Sequence, residues 1–231
     1  MANHYLVTGA SRGIGFEIVK NLADNDHLIT AVARSQDKLS TLRGLYPEHI
    51  RTISADITSD QEREKIIQQM NENGLTLDGI VHNAGLLINK PFSDLTNEDW
   101  QRQLDVNLLA PVFLTRDLLS FLNPGSHILN ISSMGGFQGS SKFPGLTGYS
   151  VAKGALSILA ECLPGELKEK NIRCNSLCLG AVQTEMLESA FPGMEAPVQA
   201  GSMGKYISNF LETGHTFYNG KVLPVALADP N

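Results

Sequence analysis

A short apolar run, Tyr5 to Thr8, breaks directly into Gly9-Ala10-Ser11-Arg12-Gly13-Ile14-Gly15. Apolar residues then return at helical spacing, at Ile14, Ile18, Val19 and Leu22. A strand that ends in a glycine-rich turn and continues as a helix constrains the fold strongly, because it opens a doubly wound α/β sheet. Gly9 permits the tight turn, Gly13 lets backbone approach a pyrophosphate, and Gly15 lets the helix pack closely on the sheet. Amides at the new helix N-terminus, around Ser11 and Ile14, would then face phosphates. A plain tight turn uses the same glycines, but its place between strand and helix favours a dinucleotide site.

Strand-like and helix-like segments alternate along the rest of the chain. Strands are expected at Leu28–Ala33, Ile50–Ser54, Gly79–Val81, His127–Ile131, Ile172–Leu179 and Gly220–Leu223. Helices are expected around Gln36–Leu45, Asp60–Asn73, from the Thr96 cap through Trp100 and Leu104 to Leu119, from Tyr149 onward, and at Gly204–Leu211. That order predicts one single-domain Rossmann fold over residues 1–231, with a doubly wound parallel sheet of about seven strands and helices on both faces. Residues 185–204 would form a short substrate lid, and Val225–Asn231 a free tail.

Composition narrows the partners. A net charge of −6 and a pI near 5.5 argue against nucleic acid as a partner, which needs a basic face. No run of about 18 apolar residues is present, so no membrane partner is expected. The opening MANHYLVTGAS has no signal-peptide pattern, and the expected location is cytoplasmic. Cys162, Cys174 and Cys178 form no Cys-x-x-Cys pair and no ligand spacing with histidine, so they read as thiols in a reducing compartment, and no metal site is expected.

The stretch from Ser132 to Lys153 carries the candidate chemistry. Paired serines, Ser132 and Ser133, stand where an apolar strand stops, and after a glycine-rich loop come Tyr149 and Lys153. Positions i and i+4 share a helix face, so phenol and ammonium can share a site. A neighbouring cation favours phenolate, which would draw the tyrosine pKa down towards a working range for acid/base catalysis.

The Gly-x-x-x-Gly-x-Gly spacing together with Tyr149-x-x-x-Lys153 resembles the short-chain dehydrogenase/reductase family, and the resemblance runs from Tyr5 to about Pro224. It implies an oxidoreductase that moves a hydride between a nicotinamide and a small carbonyl or secondary-alcohol substrate. Tyr149 would be the proton donor or acceptor, Ser133 (with Ser132 as fallback) would stabilise the oxygen, and Lys153 would hold the nicotinamide ribose. Asn107, ahead of a kink at Pro111, would anchor a water-mediated proton route. Cofactor contacts would come from Gly9, Ser11, Arg12, Gly13, Ile14 and Gly15. Others would come from Asp56, which alternatively caps the following helix, and from Ile57, Asn83, Ala84, Gly85, Tyr149, Lys153, Gly180, Val182 and Thr184. The end of the second strand carries Ala33 and Arg34 where an acidic residue would hold a ribose 2′-hydroxyl. A guanidinium there clamps a 2′-phosphate, with Arg12 as a second cation, so the expected cofactor is NADP, with NAD possible.

Departures from the family pattern are specific. His82 replaces the first Asn of an Asn-Asn-Ala-Gly segment. The 16-position separation of Ser133 and Tyr149 is wider than usual, with the excess at Gly139–Gly145. Pro164 predicts a bend or early break in the helix begun at Tyr149, which bears on the dimer or tetramer that relatives form. An NAD-linked alcohol or hydroxysteroid dehydrogenase, and a non-catalytic NADP-sensing protein, are the competing readings.

Overall fold

The computed structural model describes residues 2–227. In chain order the elements are β1 (His4–Thr8), α1 (Gly13–Asp24), β2 (Leu28–Ala33), α2 (Gln36–Leu45), β3 (Ile50–Ser54), α3 (Asp60–Glu72) and β4 (Leu77–His82). There follow α4 (Asn97–Leu104), α5 (Ala110–Leu118), β5 (Leu122–Ser133), α6 (Thr147–Glu166) and β6 (Arg173–Leu179). The last are β7 (Val182–Gln183), α7 (Glu185–Ala190), β8 (Val198–Gln199), α8 (Ala200–Thr213) and β9 (Lys221–Val225).

Seven strands pair in the order β3-β2-β1-β4-β5-β6-β9, every pair parallel. Parallel strands need covered faces, and period-two alternation supplies both sides of the core. In β1, Tyr5 and Val7 face a layer with Ile18, Val19 and Leu22 of α1, Leu39 and Leu42 of α2, and Met203, Ile207 and Leu211 of α8. Leu6 faces the opposite layer, with Ile66 and Met70 of α3, Leu114 and Leu118 of α5, and Ala160 of α6. The chain winds outward from β1 to β3 and then returns to β4 on the other side of β1. That reversal opens a crevice at the carboxyl ends of β1 and β4, where ligands bind in sheets of this kind.

Several expected boundaries move. β5 starts at Leu122, with a register irregularity opposite Leu77 and Gly79. The single helix expected from the Thr96 cap to Leu119 is interrupted: Thr96 and Asp99 form a reciprocal capping box for α4, then Asp105–Leu109 adopt a π-turn before α5. Pro111 lacks the N–H that would meet the Asn107 carbonyl, and the extra residue of the π-turn absorbs the misfit. α8 begins at Ala200, inside the stretch expected as lid, and Val225, expected in the tail, closes β9 against Leu179. Residues 228–231 of the expected tail lie outside the described residues.

The break expected at Pro164 is absent. α6 continues to Glu166, because Pro164 sits in its last turn, where only one intrahelical bond is lost. The Pro164 ring packs against Gly220, 3.3 Å from where a Cβ there would stand, and Gly220 itself has φ +71°.

Candidate active site

The site is assembled from strand ends. Thr8, last in β1, accepts hydrogen bonds at Oγ1 from the Asn83 and Ala84 amides (both 3.1 Å), and donates to the Val81 carbonyl at 3.3 Å. Asn83 returns the link, its Nδ2 donating to the carbonyls of Thr8 (3.0 Å) and Gly9 (3.3 Å). The crevice floor is thus stitched shut by side chains where the ladder stops. Its tightness explains two glycines: a Cβ at Gly9 would stand 2.8 Å from Ala84 Cα, and one at Gly15 only 2.3 Å from the Gly9 carbonyl oxygen. Gly9 and Gly13 also take φ of +67° and +57°, which side-chain-bearing residues resist.

At the end of β5 the paired serines part company, as strand alternation requires. Ser132 is buried and donates to the Lys153 carbonyl at 2.8 Å, within a hydroxyl cluster that includes Ser157. Ser133 is half-buried on the crevice side, accepts from the Gly135 amide at 3.1 Å, and stands close enough to the Tyr149 phenol to oppose a rise in its pKa. Ser132 therefore leaves the site as a fallback, its hydroxyl committed to the core.

Tyr149 and Lys153 stand one turn apart on α6, with the Lys153 ammonium 5.9 Å from the phenol ring centre. Lys153 is buried and donates to the Ile131 carbonyl at 2.8 Å. The expected depression of the phenol pKa does not occur. Burial pushes Tyr149 up to about 12 against the opposing influence of Ser133, and burial takes Lys153 down to about 8. The ammonium is tied to a carbonyl rather than aimed at the phenol, and desolvation is the largest cause of the shift of each group.

Asn107 is fully buried and clamps the strand-end loop after β4: its Nδ2 donates to the carbonyls of Leu86 (2.8 Å) and Gln103 (2.9 Å), and its Oδ1 accepts from the Leu86 amide at 3.1 Å. A Cβ at Gly85 would touch this amide oxygen (3.2 Å), Lys153 Nζ (3.6 Å) and Met186 Cε (3.7 Å). Gly85, Asn107, Lys153 and Met186 thus share one corner.

The remaining expected residues lie around the rim. Asp56 does not cap α3, whose N-cap is Ser59; its carboxylate accepts from the Thr58 amide (3.0 Å) and hydroxyl (2.7 Å), closing an Asx turn. Ile57 is buried beside it. Gly180 packs on Ala226, Val182 pairs with Val198 in the short β7–β8 ribbon, and Thr184 caps α7 by accepting from the Leu187 amide at 3.3 Å. Arg34 follows the last residue of β2. Arg12 instead meets Glu185 at 2.7 Å, and the other oxygen of that carboxylate lies 3.7 Å from Lys38. Lys38 was legible as a cation one helical turn beyond Arg34; nothing in the sequence marked Glu185 as its partner.

The sequence did not mark Asn89 and Lys90, and it left the surroundings of His82 open. Asn89 donates to the Ala190 carbonyl at 2.9 Å, and the Lys90 amide donates to the Gly145 carbonyl at 3.0 Å. Three segments that frame the mouth of the crevice, after β4, before α6 and at α7, are thereby held together. His82 is buried at the end of β4 with Nε2 2.8 Å from the Thr115 hydroxyl, and no protein group among the described residues meets its Nδ1. Burial, with the Lys153 charge as a lesser cause, lowers its pKa to about 3, so it is neutral at physiological pH. Among the described residues no three His, Cys, Asp or Glu side chains gather as metal ligands, and no helix is long and apolar enough to cross a membrane.

A tight glycine turn at the end of β1 and a Tyr-Lys-Ser group at the end of β5 and the start of α6 stand at the carboxyl ends of the strands, the arrangement of an oxidoreductase that works with a nicotinamide cofactor. Residues 3–195 match the family model described as short chain dehydrogenase, and the chain belongs to that family. It is similar to an uncharacterized oxidoreductase of Staphylococcus saprophyticus, 29% identical over 187 residues, covering 78% of this chain and 79% of that one. It is 26% identical over 221 residues to a 3beta-hydroxysteroid dehydrogenase of Mediterraneibacter gnavus, covering 91% and 79%. Among solved structures, a 3-ketoacyl-(acyl-carrier-protein) reductase of Brucella melitensis complexed with NADH superposes with a TM-score of 0.88 at 21% identity, covering 97% of this chain and 96% of that one. That likeness is one of fold.

Proposed function

We propose that this chain is an NADP(H)-dependent reductase of small ketones or aldehydes. The observation that carries the reading is the pairing of Tyr149 and Lys153 one turn apart on α6, the ammonium 5.9 Å from the phenol ring centre, beside Ser133 at the end of β5. The phenol is protonated at neutral pH, and an alkoxide forming beside it is basic enough to take that proton even from a group held at about 12. The bound cofactor supplies the hydride. Ser133 donates to the carbonyl oxygen as negative charge develops, and Tyr149 delivers the proton that completes the alcohol. Lys153, buried beside Tyr149, holds the ribose hydroxyls and keeps a positive charge next to the phenolate left behind. The Asn107 main-chain carbonyl, which Pro111 deprives of its helical donor, is the acceptor for a water that returns a proton. Arg34 and Arg12, with Lys38 behind them, support the choice of NADP by their charge.

The NAD-linked dehydrogenase remains the second reading, favoured by Glu185, which neutralises part of that positive charge. The relative named as a 3beta-hydroxysteroid dehydrogenase supports a secondary alcohol, or the ketone made from it, as the reacting group. The sensor reading predicts tight NADPH binding with no turnover on a broad panel of ketones and quinones. Replacing Tyr149 by Phe is the direct test of the mechanism: kcat should fall about 10²- to 10⁴-fold while NADPH affinity stays within about twofold. Retained turnover means that another group supplies the proton. The chain is further proposed to act in the cytoplasm and to form a homodimer or tetramer.

A further inference from the structure

Three consecutive residues at the start of α7 lie along the cofactor crevice. Thr184 Cγ2 stands 3.5 Å from the position a Cβ would take on Gly13, in the glycine turn. Met186 reaches the corner formed by Gly85 and Lys153. Between them, Glu185 places one carboxylate oxygen 2.7 Å from the Arg12 guanidinium and the other 3.7 Å from the Lys38 ammonium. The cationic group beside the end of β2 is therefore already partly satisfied by an anion of the chain itself. The two cations hold the Glu185 carboxyl below its ordinary pKa, the Arg12 hydrogen bond foremost, so the competing group stays charged.

From this juxtaposition we infer that Glu185 is a specificity-determining residue that competes with the 2′-phosphate of the cofactor for Arg12 and Lys38. The inference rests on the proposed use of these cations for a 2′-phosphate, and it adds a residue that acts against that use. A carboxylate and a phosphate monoester seek the same guanidinium face, and two anions within a few ångströms repel. Seating the phosphate requires Glu185 to release Arg12 or to tolerate that repulsion. A ribose 2′-hydroxyl carries no charge and makes no such demand. Glu185 therefore lowers the preference for the phosphorylated cofactor below what Arg12, Arg34 and Lys38 alone would give.

The test measures binding by fluorescence titration of NADPH and NADH to the full chain and to Glu185→Gln. The Glu185 side chain is 56% exposed, so the substitution leaves folding intact. The expected result is that Glu185→Gln tightens NADPH about three- to tenfold and changes NADH less than about twofold, and that the gain shrinks at high salt. Glu185→Lys should move the same ratio further in the same direction. An unchanged ratio of the two affinities, or a ratio shifted towards NADH, overturns the inference. The wild-type ratio tests a separate matter: if wild type binds NADH more tightly, the reading of Arg34 fails, while a shift of the ratio on substitution still supports the role of Glu185.

Discussion

Tyr149 and Lys153 show how spacing and environment divide the control of one chemical group. Four residues apart on α6, they were bound to share a face, and they do. What spacing could not supply was the balance between attraction and desolvation. That balance depends on Ile131 accepting the ammonium and on the depth at which both groups sit. The same limit applied to His82, whose place in the sequence said nothing of its surroundings. Its pKa, lowered to about 3 by burial, has a consequence for stability. In the unfolded chain it takes up a proton below about pH 6.5, whereas the folded chain resists protonation, so stability falls with acidification from about 6.5 towards 3. His127, lowered by burial to about 4, adds in the same sense. Each should contribute a loss of about 1.4 kcal/mol per pH unit within its window. Urea unfolding at pH 7 and pH 5 measures this, and in His82→Asn the pH dependence should flatten. An equally steep dependence in that variant would show that His82 is not the group being charged.

At the scale of elements, turns and helix irregularities set the site more than the regular segments do. The glycine turn after β1 was legible because its residues have few other uses, but the reason for Gly15 emerges only from its neighbours. A methyl group there meets the Gly9 carbonyl oxygen and the Asn83 amide, at 2.3 and 2.4 Å. Gly15→Ala should therefore cost about 1–3 kcal/mol and weaken cofactor binding at least about tenfold. Thermal unfolding and NADPH titration would report the two effects, and a variant that binds normally would show that the turn yields without cost. Between α4 and α5, Pro111 announced a disturbance, and the chain placed it one turn earlier as a π-turn around Asn107. At Pro164 the helix does not break early but runs on to Glu166, since a proline in the closing turn of a helix removes little.

Across the whole molecule, β-strand periodicity and strand-helix alternation were enough to predict a parallel sheet covered on both faces. The outward face of α6 is different: Val151 and Ile158 are 50% and 57% exposed, two turns apart on one stripe. If the proposed homo-oligomer buries this stripe, Ile158→Arg should lower the molecular mass seen by light scattering to that of one chain, with the far-ultraviolet dichroism preserved. An unchanged mass would place any interface elsewhere.

Local order along the chain determined the fold class, the glycine turn and the Tyr149–Lys153 pair, because each depends on residue type at fixed short separation; Ser133 and Asn107 became candidates through the resemblance to the family. The tertiary structure alone decided which of two adjacent serines faces the crevice, how burial shifts the phenol, and that Glu185 reaches Arg12 across 173 positions. Those outcomes depend on distances between segments remote in sequence, and such distances exist only once the sheet has closed around its core.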